Sequence, residues 1–254
     1  MRPWVSSRLV PRLSHAARLV AYRQAMAEER GSTDSQNGLT GSADATRSDG
    51  GLYRCGTAAF DRVVFFTDAI FAISITLAAV TIGVPQIDGP VTDASLWQAI
   101  QDKGKNFFAF GFTFIWVAFY WRANHKFTDR LAAVDGRYIA TLLLYLAFIA
   151  LLPVATGTLG EYTNAVALSL FLVAVAIISS LEVVLLTVAW RDRLLTEQPS
   201  RTAYRKEAIS SLTPVVIALI SIPIAFLSVW VAFVFMGVGV AALGAAVARI
   251  LPDG

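Results

Sequence analysis

From Thr57 onward, the chain alternates long apolar segments with short polar loops. Four segments reach the length of about 20 mostly apolar residues that a membrane-spanning helix needs, and they are 62–84, 106–124, 138–157 and 164–190. A further apolar block, 208–250, has no charge before Arg249 and is about twice as long as one span requires. It therefore predicts two helices with a reversal at 227–230. The whole pattern predicts an all-α bundle of six transmembrane helices.

The first 55 residues differ in character from this apolar body. Residues 31–51 are rich in Gly, Ser, Asp and Thr and have little apolar surface to bury, which predicts disorder. Residues 1–30 carry arginines and no acid before Glu28, as organellar transit peptides and amphipathic surface helices do. We expect a disordered polar and basic extension over 1–55 and a six-helix transmembrane domain over 56–254.

Basic residues are distributed unevenly among the predicted loops. The third and fifth loops contain none, whereas the second and fourth contain most of them: Arg122, Lys126, Arg130, Arg137, Arg191, Arg193, Arg201, Arg205 and Lys206. Cytoplasmic loops of membrane proteins are enriched in Lys and Arg. We therefore expect the second loop, the fourth loop and both termini to lie in the cytoplasm.

Composition and charge exclude several classes of protein. Hydrophobic residues make up 56% of the chain and charged residues 15%, whereas soluble domains carry about 25% charged residues. The extension accounts for the whole net charge of +3, so the charge does not indicate a nucleic-acid partner. Arginine outnumbers lysine by 17 to 4, which favours a bacterial origin. We expect a multi-pass protein of the bacterial cell membrane.

Catalytic and metal chemistry have little support in the sequence. The single cysteine, Cys55, excludes an intramolecular disulfide framework and any CxxC metal site. The two histidines, His15 and His125, are too far apart along the chain to form a His-rich zinc motif. No nucleophile and base occur in a recognisable catalytic pattern. We therefore expect no enzyme activity, no metal site and no cofactor.

Ionisable residues inside a predicted span are candidate functional residues. Arg62 and Asp68 in the first segment are six residues apart and lie on different helix faces. Asp68 is either a functional carboxylate or an interfacial residue that links helices, because it lies only two turns into the span. Glu182 in the fourth segment is either a partner in a helix–helix hydrogen bond or part of a proton or ion relay.

Helical periodicity defines two stripes on the first segment. The first comprises Ile73, Thr76, Leu77 and Val80, at spacings i, i+3, i+4 and i+7. The second comprises Phe71, Ser74, Ile75 and Ala78. An apolar stripe with one hydroxyl is most often core packing, and it lines a pore less often. Periodicity alone leaves both interpretations open for the first stripe.

The second segment is rich in aromatic residues. Trp116, Tyr120 and Trp121 near its end are typical of an interfacial belt. His125, which follows them, is either a solvated loop residue or a partner of Asp68 at the same membrane face. Elsewhere, residues 158–162 (TLGEY) do not match the TVGYG filter of potassium channels and are expected to form an outer loop.

One motif in the first segment resembles a known family. It consists of Arg62, Phe66, Thr67 and Asp68, followed by Ala72-Ile73 and Thr76-Leu77. This resembles the first-helix signature of the transmembrane protein 175 family, the lysosomal and prokaryotic potassium channels, written RxxxFSD followed by AIxxTL. Thr67 replaces the serine of that signature. The run YWRANHKF resembles the histidine-bearing segment of the family, with Asn124 in place of a first histidine.

The resemblance implies a homotetramer in which each first helix lines one central potassium pathway. It implies a constriction of apolar and hydroxyl side chains, without a TVGYG filter, at Ile73, Thr76, Leu77 and Val80. It also implies a polar network at the cytoplasmic end, formed by Arg62, Asp68 and His125. Potassium is then the permeant ion, identical subunits and membrane lipid are the partners, and there is no small-molecule substrate.

Two other functions compete with a channel. A secondary transporter could use Asp68 or Glu182 as its coupling site, although the sequence shows no convincing internal repeat of the kind common in that class. A non-conducting membrane scaffold would also explain six apolar helices. An enzyme is the least supported alternative.

Overall fold

The computed structural model describes residues 51–250, and this part of the chain is mostly helical. Its seven helices are α1 (Ala58–Val80), α2 (Asp93–Asp102), α3 (Gly104–Thr128), α4 (Gly136–Tyr162), α5 (Ala165–Arg191), α6 (Arg201–Leu227) and α7 (Val229–Ile250). Two short strands, β1 (Tyr53–Arg54) and β2 (Ala133–Val134), pair antiparallel. The predicted disordered extension lies almost entirely outside the described residues and stays a prediction.

Five of the described helices are long and apolar enough to cross a membrane, and these are α1, α4, α5, α6 and α7. The chain is therefore a membrane protein with several apolar helices. The 25-residue helix α3 is about 38 Å long, which is sufficient for a span. Its Trp and Tyr residues and flanking basic residues lower its hydropathy, and it is not among those five. By length and composition, five of the six predicted spans are supported, and the sixth stays a prediction.

Short polar residues fix where several helices begin. Asp135 caps α4 by accepting a hydrogen bond from the Tyr138 amide at 2.7 Å, and Asn164 caps α5 by accepting one from Ala167 at 2.9 Å. These side chains satisfy amide groups that have no partner within the helix. Thr92 and Ser95 form a capping box that starts α2, a helix that the apolar pattern of the sequence does not predict.

The predicted reversal at 227–230 is confirmed. Helix α6 ends at Leu227, Ser228 has an extended backbone, and α7 begins at Val229. The outer loop predicted at 158–162 is wrong, because these residues form the last turn of α4. The chain leaves that helix one residue later, at Thr163, which has a left-handed backbone with φ of 42°.

The helices pack in a connected series rather than around a single central helix. Helix α4 packs against α1, α3 and α5, while α6 packs between α5 and α7. Three buried hydrogen bonds tie neighbouring helices together. They join Ser74 Oγ to the Ile149 carbonyl, Thr113 to Thr156, and Tyr120 to Ser179, each at 2.7 Å. In a membrane the lipid is as apolar as the helix surface, so no hydrophobic effect drives helices together. Hydrogen bonds between helices then help to hold them in contact.

Three chain segments meet at one end of the bundle. Tyr53 pairs with Val134 in the two-stranded sheet, and Leu131 forms a bridge with Leu195. The Cys55 amide also donates to the Ala132 carbonyl at 2.8 Å. The two loops rich in Arg and Lys therefore lie at the same end as the start of α1, as the charge distribution predicts. Their cytoplasmic location stays a prediction.

Candidate pore-lining helix and its polar network

One face of α1 packs against the rest of the subunit. Phe71, Ser74 and Ala78 are buried, and Ile75 is half-buried. The Ser74 hydroxyl donates to the Ile149 carbonyl of α4, which fixes the rotation of α1 about its own axis. The second stripe defined by periodicity is thus the face that α1 turns toward its own subunit.

The first stripe points away from the subunit. Ile73, Leu77 and Val80 are 50%, 47% and 72% exposed, and Thr76 is exposed between them. The Thr76 hydroxyl donates to the Ile73 carbonyl at 2.8 Å within the same helix. Core packing inside one subunit is therefore wrong for this stripe. It faces lipid, a neighbouring subunit or a pore.

The motif residues divide between these two faces. Phe66 is 49% exposed and Arg62 is exposed, both on the side of the outward stripe. Thr67 is buried and donates its hydroxyl to the Val63 carbonyl at 2.9 Å. Serine can form the same bond one turn back along the helix, so this contact accommodates the exchange of Ser for Thr in the motif.

Asp68 lies against α3 at the end of the bundle where α1 begins. The Trp121 indole donates to Asp68 Oδ1 at 3.0 Å. The same indole stacks on the His125 ring, with the ring centroids 5.4 Å apart and the planes at 16°. Trp121 therefore lies between the aspartate and the histidine that the sequence grouped together.

Arg62 does not join this cluster within one subunit. Its side chain makes no hydrogen bond or ion pair with the residues of 51–250. The structure thus brings Asp68 and His125 together through Trp121 and leaves Arg62 on the outward face of α1.

The aromatic belt predicted on α3 is only partly exposed. Trp121 is 41% exposed, but Trp116 and Tyr120 are buried. Burial of Tyr120 leaves no polar group unsatisfied, because its hydroxyl forms hydrogen bonds with Ser179 and the Val175 carbonyl of α5, at 2.7 and 3.1 Å. The prediction of an interfacial belt is therefore wrong for Trp116 and Tyr120. It also did not anticipate the contact of Trp121 with Asp68.

Glu182 on α5 lies apart from α1, in the wall of a cavity that also contains Lys126 and Arg130. Over residues 51–250, no group of three or more His, Cys, Asp or Glu side chains is arranged to hold a metal ion.

The part of the chain that holds this helix and network matches a family profile. Residues 62–153 match the family described as endosomal/lysosomal potassium channel TMEM175. This match confirms the family resemblance. The matched range begins at Arg62 of the motif and ends inside α4, so it includes most of α1 and all of α3.

Two relatives are each similar to about two fifths of this chain. A potassium channel of Streptomyces collinus is 35% identical over 101 residues, which are 40% of this chain and 48% of that protein. A potassium channel of a Chryseobacterium species is 30% identical over 99 residues, 39% of this chain and 48% of that protein. The chain thus spans about half the length of the curated relatives it matches. Both are named as channels rather than enzymes, in agreement with the expectation from the sequence.

Solved structures extend the TMEM175-like fold beyond residue 153. A lysosomal potassium-selective channel TMEM175 homolog from Chamaesiphon minutus aligns with a TM-score of 0.62 at 22% identity, covering 77% of this chain and all of that one. A variant of the potassium channel MtTMEM175, solved with a nanobody fusion, aligns with a TM-score of 0.50 at 14% identity, covering 84% of this chain and 97% of that one. These similarities establish a shared fold.

Proposed function

We propose that this chain is a subunit of a potassium-permeable channel whose pathway is lined by α1. The observation that carries the proposal is the outward stripe formed by Ile73, Thr76, Leu77 and Val80. It lies on the helix that bears the family motif, and one subunit leaves it without a partner. The named relatives are potassium channels, which supports potassium as the permeant ion.

A pathway formed by an outward stripe requires several copies of the subunit. We propose a homotetramer in which four α1 helices turn this stripe toward a common axis. A ring of Ile73 side chains would close the pathway by excluding water, and a ring of Thr76 hydroxyls would partly replace the hydration shell of the ion. This constriction needs no TVGYG filter.

The proposed topology includes α3 as the sixth span. Helix α3 runs antiparallel along α4: Asn106 lies against Gly160 at one end, Thr113 bonds to Thr156, and the Phe127 ring stacks on Tyr138 at the other end. Since α4 is long and apolar enough to cross the membrane, this antiparallel packing supports a transmembrane position for α3 as well. The positive-inside rule then orients the end with the basic loops toward the cytoplasm of a bacterial cell.

A potassium flux assay with purified protein in liposomes tests the channel proposal. Wild-type protein should take up potassium, and Ile73→Asn should change the flux, with an increase expected because a polar ring at the constriction retains water. Ile220→Asn is the matched control, since Ile220 on α6 is 44% exposed and lies far from α1 in sequence.

The outcomes of this assay separate the competing functions. An absence of potassium flux from folded protein would contradict a channel and favour a scaffold. Saturable flux coupled to protons, together with its loss in Glu182→Gln, would favour a secondary transporter. An equal effect of Ile73→Asn and Ile220→Asn on the flux would contradict the proposal that α1 lines the pathway.

A further inference from the structure

A cavity of about 450 Å³, lined by both polar and apolar residues, lies within the subunit, at the end of the bundle with the basic loops. It is partly open and is lined by side chains of α3, α4, α5 and α6. Its polar lining includes Asn124, Lys126, Tyr145, Glu182, Glu207 and Ser211. The volume lies in the range of pockets that bind small molecules. The cavity is separate from the outward stripe of α1, so the proposed pathway does not use it.

One hydroxyl in the cavity wall has no hydrogen-bond partner. Tyr145 is completely buried, and its hydroxyl is an unsatisfied polar group within the described residues. Buried side-chain polar atoms are nearly always hydrogen-bonded, and an exception calls for a specific explanation. A ligand in the cavity that offers a donor or an acceptor would supply the missing partner.

The two carboxylates of the cavity differ in whether they have an ion-pair partner. Glu207 is held by Arg130, whose guanidinium donates to both carboxylate oxygens, with Nη1 at 3.2 Å from Oε2. Glu182 makes no hydrogen bond or ion pair with any residue of the described chain. The charges of Arg130 and Glu207 therefore cancel each other. Glu182 is left to accept hydrogen bonds from a ligand.

Glu182 and Lys126 lie at different depths in the cavity. Glu182 is nine residues before the end of α5, about 13 Å along the helix axis. Lys126 is exposed and lies two residues before the end of α3, at the mouth of the cavity. A simple cation would be repelled by Lys126 on entry, and a simple anion would be repelled by Glu182 inside.

We propose that this cavity binds a small zwitterion that carries a protonated primary amine and a carboxylate or phosphate. The ammonium group donates to the Glu182 carboxylate and the Tyr145 oxygen, and the anionic group pairs with Lys126. Charge-assisted hydrogen bonds of this kind are shorter and stronger than neutral ones. A free amino acid and the headgroup of phosphatidylethanolamine both have this chemistry.

Calorimetric titration of the full-length protein in detergent tests the proposal, and it does not depend on ion conduction. The probes are ω-amino acids from glycine to 6-aminohexanoate, together with phosphoethanolamine. We expect at least one probe to bind, with the best chain length reporting the distance between Glu182 and Lys126. Phosphocholine has no N–H donor and should bind at least tenfold more weakly than phosphoethanolamine. Butylamine and butyrate each carry one charge only and should also bind at least tenfold more weakly than 4-aminobutyrate.

Variants assign the binding to this cavity. Glu182→Gln and Tyr145→Phe should each weaken the best probe at least tenfold, while Glu161→Gln, an exposed carboxylate at the opposite end of α4, should leave its affinity unchanged. Tyr145→Phe keeps the ring and tests the site even if Glu182→Gln does not fold.

A lipid-binding experiment distinguishes a free zwitterion from a lipid headgroup as the ligand. Native mass spectrometry of protein extracted from bilayers with and without phosphatidylethanolamine should show retained lipid if the headgroup is the ligand, and none if free zwitterions are preferred. The proposal is overturned if neither the free probes nor phosphatidylethanolamine bind. It is also overturned if butylamine binds as well as the zwitterions, or if Glu182→Gln and Tyr145→Phe leave binding unchanged.

Discussion

At the scale of single residues, one indole nitrogen connects the two parts of the family motif. The Trp121 N–H donates to Asp68 on α1, while the face of its ring lies on His125 of its own helix. The motif predicts that Asp68 and His125 belong together. It does not predict the connecting residue, because the rotation of α3 determines whether an aromatic side chain faces lipid or α1.

Replacing Trp121 by phenylalanine tests this connection. The change keeps an aromatic ring beside His125 and removes the N–H that Asp68 accepts, so we expect the free energy of unfolding to fall by about 1 kcal/mol. Trp97→Phe is the control, since Trp97 is exposed on α2 and should shift stability by less than about 0.5 kcal/mol. Equal effects in denaturant unfolding would contradict the role of Trp121.

Two buried tyrosines offer a second comparison. Tyr120 has two hydrogen-bond partners for its hydroxyl, whereas the Tyr145 hydroxyl has none. Tyr120→Phe should lower the free energy of unfolding by about 1 to 2 kcal/mol, and Tyr145→Phe should leave it unchanged or raise it. Thermal unfolding without added ligand measures both. A loss in Tyr145→Phe as large as that in Tyr120→Phe would show that the hydroxyl already has a partner.

At the scale of helices, the contact between α3 and α4 supports the proposal that α3 is a sixth span. At one end of this pair, a Cβ atom on Gly160 would lie 3.0 Å from the Asn106 backbone. The absence of a side chain at Gly160 thus permits the close approach of the two helices. The sequence contains this glycine, but nothing in the local pattern shows that a neighbouring helix lies against it.

Gly160→Ala should therefore separate the two helices. We expect the free energy of unfolding to fall by about 1 to 3 kcal/mol, as for other overpacked contacts. Gly111→Ala in α3 is the control, because no atom lies within 4 Å of the added Cβ. Alanine is the better helix former, so this control should be neutral or stabilising by up to about 1 kcal/mol. If Gly111→Ala lowered the free energy of unfolding and Gly160→Ala left it unchanged, the close contact between Gly160 and Asn106 would be contradicted.

The boundaries of the helices follow from the sequence to different degrees. The reversal at Ser228 was predictable because the apolar block is too long for one span. Helix α2 was missed because it is only ten residues long and its charged residues resemble a loop. The end of α4 was misplaced because Gly157 and Gly160 resemble turn residues but lie inside the helix.

At the scale of the whole molecule, the outward stripe of α1 depends on which of two apolar faces packs inward. Both faces satisfy a helical period, and lipid is as apolar as a protein core. Periodicity therefore located the two stripes but could not assign them. In the structure, the hydrogen bond from Ser74 to the Ile149 carbonyl fixes the second stripe inward, which leaves Ile73 and Thr76 outward.

The most direct test of the central claim is the accessibility of the α1 stripe to a charged thiol reagent during potassium conduction. The only native cysteine, Cys55, is exposed and is first replaced in a Cys55→Ser background. Thr76→Cys and Ile220→Cys are then compared in planar bilayers, with mass spectrometry measuring how much of each thiol is modified. Irreversible block of potassium current in Thr76→Cys, with no block in Ile220→Cys, is the predicted result. A modified Thr76→Cys protein that conducts unchanged would contradict a pathway lined by α1.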